Sequence, residues 1–368
     1  MIIKNHKQLL LTSLISLMVW GCGSSPEYTT AKMRIEKADW VQAEEYLVKA
    51  LEVEPDNPEI PIQLGYHIHA KQGNWAQMNE IFERALKIDP DAKVTISSQT
   101  RPVREHVEQF RYRFWMESYN KGIVNYNKWK QSRNKTDLQS AVTAFETASK
   151  ANPNESQTFS VLATSYLESG QNDLAVQNGK KAVELMPNDF NTNFTLSQIL
   201  YRVGQKEESL PYIEKSVELN QSNSNAIRYL ANVYYELNEK EKSVKTFEKA
   251  IEFETDKIQK ANLYFNLGVL NKQLNNFSDA EIAFEEAFYL NEKDYEAVRG
   301  MAEAYEELGD NYFNGEDGFE KDPARAARWY RKAEKKVKSL MNIDIDNEST
   351  YKKDIEVLRY KRGIAEKN

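Results

Sequence analysis

The sequence predicts an all-α fold built from stacked helical hairpins. Apolar residues recur at i, i+3, i+4 and i+7 almost everywhere after Thr29, which is the spacing of an amphipathic helix. Runs of alternating β-branched residues, the usual signal of strands, do not occur. Among 368 residues only 14 are Gly and 10 are Pro, whereas 20 Tyr and 15 Phe supply large core side chains. Together these observations favour helices throughout over a mixed α/β fold.

A second observation is a pattern, Ala-x3-large-x2-Ala-x4-Pro, that recurs at a regular interval, as between Pro153 and Pro187. A small residue lets two helices approach closely, and the large residue fills the hole in the facing helix. The proline then ends the second helix, because it cannot continue the hydrogen-bond ladder. Eight predicted second helices keep this phase, at Ala43/Leu47/Ala50, Met78/Phe82/Ala85, Ala141/Phe145/Ala148, Ala175/Gly179/Ala182, Ser209/Ile213/Ser216, Ser243/Phe247/Ala250, Ala280/Phe284/Ala287 and Ala326/Tyr330/Ala333.

The predicted first helices carry a large-small step, for example Leu64-Gly65 and Leu267-Gly268. With this step and the second-helix pattern, residues 29 to about 340 resemble the tetratricopeptide repeat. The resemblance implies an α-solenoid of about eight helical hairpins, and a helix near Tyr351–Ala365 should cap its end. Glycines at the turns between helices should adopt a left-handed conformation, and they are Gly73, Gly170, Gly204 and Gly309.

The irregularities of the array predict its domain organisation. The interval from Pro90 to Pro153 is almost twice the regular one, and Thr95 to Pro102 is a polar stretch that ends in a helix-breaking step. The expected segments are a signal peptide (1–21), a tether (22–28), an N-terminal pair of hairpins (29–92), a linker (93–102), a C-terminal superhelix (103–340) with an insertion (310–323), and a linker with a capping helix (341–368).

The leader reads as an export signal. Lys4 and Lys7 form a positive segment, and an apolar stretch of about a dozen residues follows, too short to span a bilayer permanently. Cys22, the single cysteine, directly follows Val19-Trp20-Gly21, which resembles the bacterial lipobox except for its tryptophan. We therefore expect Cys22 to be the lipidation site that anchors the chain in a bacterial membrane, with the outer membrane favoured by Gly23. An ordinary signal peptide with a stray thiol is the alternative.

Charge argues against nucleic acid as a partner. The net charge is −7, and removal of the leader with its two lysines makes it −9. Residues 321–368 nevertheless carry 14 Lys and Arg against 8 Asp and Glu, so one end is basic and the body is acidic.

The sequence contains no motif for catalysis, a cofactor or a metal. His67 and His69 are two residues apart and point to divergent helix faces, so they are not expected to bind a metal together. A glycine-rich phosphate loop and a nucleophile elbow are both missing from the sequence. We therefore expect that the protein is not an enzyme and needs no cofactor.

A binding groove is expected on the first helices, because the resemblance implies that they line the inner face of the array. Two readings stay open for the tyrosines on this face: they could contact a partner, or they could pack across the hairpin junctions. Arg228, Asn232 and Asn266 also match part of a carboxylate clamp, although Glu296 and Gly300 depart from it. The groove residues are Phe194, Gln198, Tyr201, Arg202, Arg228, Asn232, Tyr235, Asn266 and Arg299, with Ser160 and Thr164 earlier in the array.

These expectations favour a membrane-anchored scaffold that gathers proteins or peptides of the bacterial cell envelope. The domain would lie in the periplasm or at the cell surface. The alternative is a receptor that captures a free peptide or a glycan in its aromatic groove. Fold alone does not decide between them.

Overall fold

A computed structural model describes residues 23–292 and 295–368. The described residues divide into two compact units, one of residues 23–117 with 150–152 and the other of the remaining residues from 118 onward. The predicted lipidation site, Cys22, lies outside the described residues, as does the leader. Within the described ranges, no helix combines the length and the hydropathy that a membrane crossing needs.

The first unit consists of two helical hairpins, a short β-hairpin and the first half of a long helix. Its cores form around Tyr28, Leu47 and Ile60, and around Met78 and Phe82, all buried. The elements are α1 (Pro26–Glu36), α2 (Trp40–Val53), α3 (Glu59–Leu64), a π-helical turn (Gly65–His69), α4 (Trp75–Ile88), β1 (Lys93–Ile96), β2 (Gln99–Pro102) and α5 (Val103–Ser132), which continues into the second unit from Ser118.

The N-terminal tether is shorter than predicted. Helix α1 begins at Pro26, inside the segment 22–28, and the hydroxyl of Ser25 caps it by accepting a hydrogen bond from the Tyr28 amide at 3.1 Å. Tyr28 is only 1% exposed, and its hydroxyl donates to Glu59 Oε1 at 2.7 Å. Proline suits the first turn of a helix and serine suits the cap, which explains why the helix starts so early.

Residues 93–102, predicted as a linker, form the antiparallel strands β1 and β2. Val94 and Ile96 alternate with exposed residues and are buried in the core of the first unit. Ser97 and Ser98 make the tight turn, with φ of +49° and +65°. A two-residue turn with both φ positive matches the twist of paired strands. Two strands of four residues joined by Ser-Ser lack the length and the Asn-Gly signal that sequence patterns detect.

The second unit is a run of consecutive helical hairpins. With the hairpins of the first unit, the described helices form eight pairs and a final single helix, which confirms the all-α solenoid fold. The elements after α5 are α6 (Lys135–Ala151), α7 (Ser156–Glu168), α8 (Asn172–Leu185), α9 (Phe190–Arg202), α10 (Lys206–Leu219), α11 (Ser224–Glu236), α12 (Lys240–Phe253), α13 (Lys257–Gln273), α14 (Phe277–Leu290), α15 (Tyr295–Asn314), α16 (Pro323–Ile343), a 3-10 turn (Ile345–Asn347) and α17 (Glu348–Ala365).

The small-large-small positions of the second helices are buried in all eight hairpins, as the repeat pattern predicts. Phe284 on α14 illustrates why. Its ring lies against Gly268 in the same hairpin and Gly300 in the next, and a Cβ added to either glycine would come within 2.7 Å of the ring. The small residue is therefore needed to receive the large one.

Three of the four predicted turn glycines end their helices as expected. Gly73, Gly170 and Gly204 have φ of +73°, +78° and +88°. The prediction for Gly309 is wrong, because this residue lies inside α15. It is needed there for packing instead, since an added Cβ would lie 2.7 Å from the ring of Tyr330.

The predicted insertion 310–323 is shorter than expected, because α15 continues to Asn314 and only residues 315–322 form a loop. Helix α15 extends here because its side chains find partners: Asp310 accepts a hydrogen bond from the Tyr330 hydroxyl at 2.7 Å, and Asn311 is buried. Asp322 then caps α16 by accepting from the Arg325 amide at 2.9 Å.

Helix α17 packs on α16 at the end of the array. Ile355 and Leu358 are buried in this contact. The buried carboxylate of Glu334 on α16 accepts hydrogen bonds from Arg359 at 2.9 Å and Arg362 at 2.6 Å on α17. The contact is therefore fixed by polar bonds as well as by apolar packing.

Candidate functional site

Three successive first helices, α9, α11 and α13, place predicted groove residues side by side. Tyr201 and Tyr235 are separated by one repeat of 34 residues, whereas Asn232 and Asn266 are not equivalent, because the next repeat is 37 residues long, as from Phe247 to Phe284. Residues separated by one repeat occupy equivalent positions in neighbouring hairpins. The repeat therefore arranges the two tyrosines as a column, and Asn232 and Asn266 line the same cavity from successive first helices.

These four residues line one cavity of about 270 Å³. Its apolar lining comes from Phe247 on α12 and from Val269 and Leu270 on α13. Glu236, the last residue of α11, supplies the charged group of the lining. The complete lining is Tyr201, Asn232, Tyr235, Glu236, Phe247, Asn266, Val269 and Leu270.

An aromatic row continues from the cavity between α9 and α11. The ring of Tyr201 meets that of Tyr229 edge-on at 5.5 Å, and Tyr229 in turn meets Phe194 at 5.7 Å. Phe194 stacks on Phe190 at 5.5 Å. Burial raises the pKa of Tyr229 well above its ordinary value of 10, and its buried hydroxyl makes no hydrogen bond to any described residue. These rings form a rigid wall, since each holds the next in place.

The two predicted groove tyrosines differ in exposure. Tyr201 is half-buried against Tyr229, and burial raises its pKa, with Glu236 acting in the same direction. Tyr235 is 37% exposed, and its hydroxyl accepts a hydrogen bond from Gln273 Nε2 at 3.1 Å. Tyr201 therefore both packs against Tyr229 and lines the cavity, whereas Tyr235 presents its ring to solvent.

The predicted groove arginines are not in the cavity lining. Arg202 donates to Glu168 Oε1 at 2.8 Å, and Arg228 donates to Asn225 Oδ1 at 2.7 Å. Arg299 is the largest departure from the predicted groove, because its guanidinium donates to the hydroxyl of Tyr351 on α17 at 3.0 Å. Arg299 thus takes part in the contact with the capping helix. Gln198 and Phe194 are half-buried on α9.

Sequence reasoning did not select Glu236, Val269, Leu270 or Tyr229 for the groove. A signal was available for Val269, because it follows Asn232 by one repeat, the 37 residues that also separate Phe247 from Phe284. Extending the Asn232 position by one further repeat would have found this part of the apolar side of the cavity.

His67 and His106 of the first unit contact an aromatic ring and a backbone carbonyl, which are structural contacts. The ring of His67 stacks on Trp40 at 5.9 Å, and burial, with the Lys71 ammonium nearby, lowers the pKa of His67 to about 4. The buried His106 bonds through Nε2 to the carbonyl of Val94 at 3.1 Å. Among the residues with a described position, no group of three or more His, Cys, Asp and Glu converges as a metal site would require.

Comparison with known proteins identifies the repeat. A family model for the tetratricopeptide repeat matches residues 190–223, 230–257 and 261–294. No curated protein matches the chain.

Three solved structures have a similar fold. The C-terminal part of a TPR repeat-containing protein from Cytophaga hutchinsonii shares 17% identity, with 82% of this chain and 98% of that chain covered and a TM-score of 0.47. A tetratricopeptide repeat protein from Parabacteroides merdae shares 16%, with 66% and 99% covered and a TM-score of 0.44. MamA from Desulfovibrio magneticus RS-1 shares 18%, with 47% and 97% covered and a TM-score of 0.41. Because the identities and scores are low, nothing about partners follows from them.

The three matched segments fall on the hairpins α9–α10, α11–α12 and α13–α14. These are the hairpins whose side chains line the cavity. The cavity is therefore built by the three segments that match the tetratricopeptide-repeat model.

Proposed function

We propose that this protein is a scaffold that binds an extended segment of a partner protein on the face of α9, α11 and α13. Tetratricopeptide repeats form protein–protein interaction scaffolds. The observation that carries the proposal is the shared cavity, which side chains from three successive repeats line together. An extended segment that crosses the first helices would meet one row of side chains from each repeat.

The lining chemistry supports recognition of a polypeptide. Asn232 and Asn266 offer both amide donors and acceptors, which can pair with peptide groups, while Tyr201 and Tyr235 offer amphipathic rings. The apolar side at Phe247 provides burial for one partner side chain. The cavity contains one carboxylate and no nucleophile paired with a base, so binding is favoured over catalysis.

The proposal includes a location in the bacterial cell envelope. Cys22 stands directly after Val19-Trp20-Gly21, and lipidation there would anchor the chain in a membrane. Gly23, the next residue, favours the outer membrane. Because α1 starts at Pro26, only residues 23–25 would separate the anchor from the first hairpin. The scaffold would then present its repeats close to the membrane surface, to envelope proteins or peptides.

The test pairs two measurements on the double variant Tyr201→Ala, Tyr235→Ala. We expect partner capture from an envelope extract to weaken by about 1 kcal/mol or more, because buried aromatic contacts dominate protein interfaces. The melting temperature should fall only slightly, through the lost contact of Tyr201 with Tyr229. The matched control is Tyr289→Ala, Tyr360→Ala, which removes two tyrosines that are 72% and 71% exposed. Capture that is equal in both variants would rule out this face as the binding site.

A receptor for a free peptide or glycan is the second candidate. The aromatic row beside the cavity is the observation that favours it, because aromatic side chains commonly line small-ligand sites. A small molecule that elutes from the purified protein, with no protein retained, would support the receptor. Stable protein partners would support the scaffold.

A further inference from the structure

Glu236 gives the cavity an electrostatic character that the rest of its lining lacks. It is the single charged residue among the eight that form the lining. One repeat earlier the equivalent position holds Arg202, and one repeat later, at the 37-residue spacing of Phe247 and Phe284, it holds Gln273. Among these three repeats, the carboxylate is therefore present only in the hairpin α11–α12 and is not a general feature of the repeat.

The contacts of a neighbouring lysine show that Glu236 attracts a cation. The ammonium of Lys206, at the start of α10, donates to Glu236 Oε2 at 2.5 Å. The same ammonium lies 5.8 Å from the centre of the Tyr201 ring. A carboxylate and an aromatic face, both belonging to the cavity lining, together hold a cation that the chain itself supplies.

This ion pair can exchange with a partner. The side chains of Lys206 and Glu236 are 36% and 35% exposed. Ion pairs with this exposure contribute little to stability, because water screens them and two flexible side chains must be ordered. Another cation could thus replace Lys206 at little cost to the fold.

We propose that the cavity receives a lysine or arginine side chain of the partner segment, whose charged group replaces Lys206 at Glu236. Its aliphatic stem packs against Phe247, Val269 and Leu270, since long basic side chains bury their methylenes and keep the charge at a polar rim. The inference rests on the proposed function, for which it specifies the chemistry of the partner.

The volume and the charge both support a single basic side chain. The cavity of about 270 Å³ is below the roughly 300–1,000 Å³ of small-molecule sites, which suits one side chain better than a whole ligand. A partner carboxylate would meet Glu236 and be repelled. The carboxylate clamp suggested by Arg228, Asn232 and Asn266 requires the opposite preference, and Arg228 is bonded to Asn225 instead of lining the cavity.

The experiment titrates the full chain with capped pentapeptides Ala-Ala-X-Ala-Ala, where X is lysine, arginine, norleucine or glutamate. Methyl resonances of Val269 and Leu270 report binding inside the cavity by NMR. We expect the lysine and arginine peptides to bind about two- to fivefold more tightly than the norleucine peptide, as for an exposed ion pair. Glu236→Gln should abolish this preference, and Lys206→Met should strengthen it by freeing the carboxylate.

The control variant is Glu208→Gln. Glu208 forms a comparable ion pair between repeats, with Lys180 at 2.7 Å, but it is not part of the lining, so the preference for lysine should persist. Equal or tighter binding of the norleucine or glutamate peptide to the unmodified chain would overturn the inference and leave the scaffold proposal intact. If no peptide shifts the methyl resonances and the Tyr201, Tyr235 variant still captures partners, both proposals are wrong.

Discussion

Replacing Phe284 by alanine should cost more stability than an ordinary core truncation. The ring is fully buried, and Phe265 packs on it with ring centres 5.7 Å apart. Truncation of a buried phenylalanine to alanine typically costs about 3–5 kcal/mol, and the cost grows with the cavity that remains. Gly268 and Gly300, which flank the ring, have no side chains that could move into the space. We therefore expect a loss in the upper half of that range.

The assay is urea unfolding of the full chain, followed by circular dichroism. The control is Tyr289→Ala on the same helix, where the side chain is 72% exposed and its loss should change stability by about 0.5 kcal/mol at most. Equal unfolding midpoints for Phe284→Ala and the unmodified chain would refute the packing assignment.

A double-mutant cycle tests the glycine contact directly. Gly268→Ala alone should be destabilising by about 1–3 kcal/mol, because its new Cβ would lie 2.7 Å from the Phe284 ring. In the Phe284→Ala background the ring is absent, and the added methyl fills part of the cavity, so its cost should shrink or vanish. Additive effects of the two substitutions would contradict the contact, since residues that touch are expected to couple.

Two further predictions concern the ends of the chain. Cys22→Ser should abolish the incorporation of labelled fatty acid and leave an unprocessed or soluble precursor, whereas an unlabelled natural chain would contradict the lipid anchor. Burial raises the pKa of Glu334, but hydrogen bonds from Lys338 and Arg359 lower it by more, so the net pKa lies below 4.5. Its stabilisation is complete above pH 4.5 and is lost as the pH falls through the lowered value. Glu334→Gln should therefore flatten the acid side of the melting-temperature profile, and an unchanged acid side would contradict this role.

Local signals predicted the parts of the fold that local geometry decides. The repeat period located eight second helices, and their small-large-small positions are all buried. The same signals failed at Gly309, since a glycine that ends a helix and a glycine that receives an aromatic ring look alike in sequence. They failed again at β1 and β2, where two strands of four residues are too short for a periodic pattern.

The candidate site was predictable only in part. The column Tyr201–Tyr235 follows from the repeat phase, because one period returns to the same helix face, whereas the position equivalent to Asn232 in the next repeat is Val269 and not Asn266. The repeat phase did not distinguish arginines that line the cavity from arginines that do not. Arg299 shares its phase with groove positions, but its guanidinium donates to the hydroxyl of Tyr351, 52 residues further along the chain. The periodicity of a helix does not predict a contact with a residue so far away in the sequence.

The sequence by itself determined that this chain is an array of helical hairpins, since burying one large residue against one small residue in each repeat requires that architecture. Only the tertiary structure decided which side chains meet between repeats. Lys206 donates a hydrogen bond to Glu236, 30 residues further along the chain, and Leu270 on α13 lines the same cavity as Tyr201 on α9. Such contacts depend on how neighbouring hairpins are offset and turned, which packing sets and the repeat period leaves open.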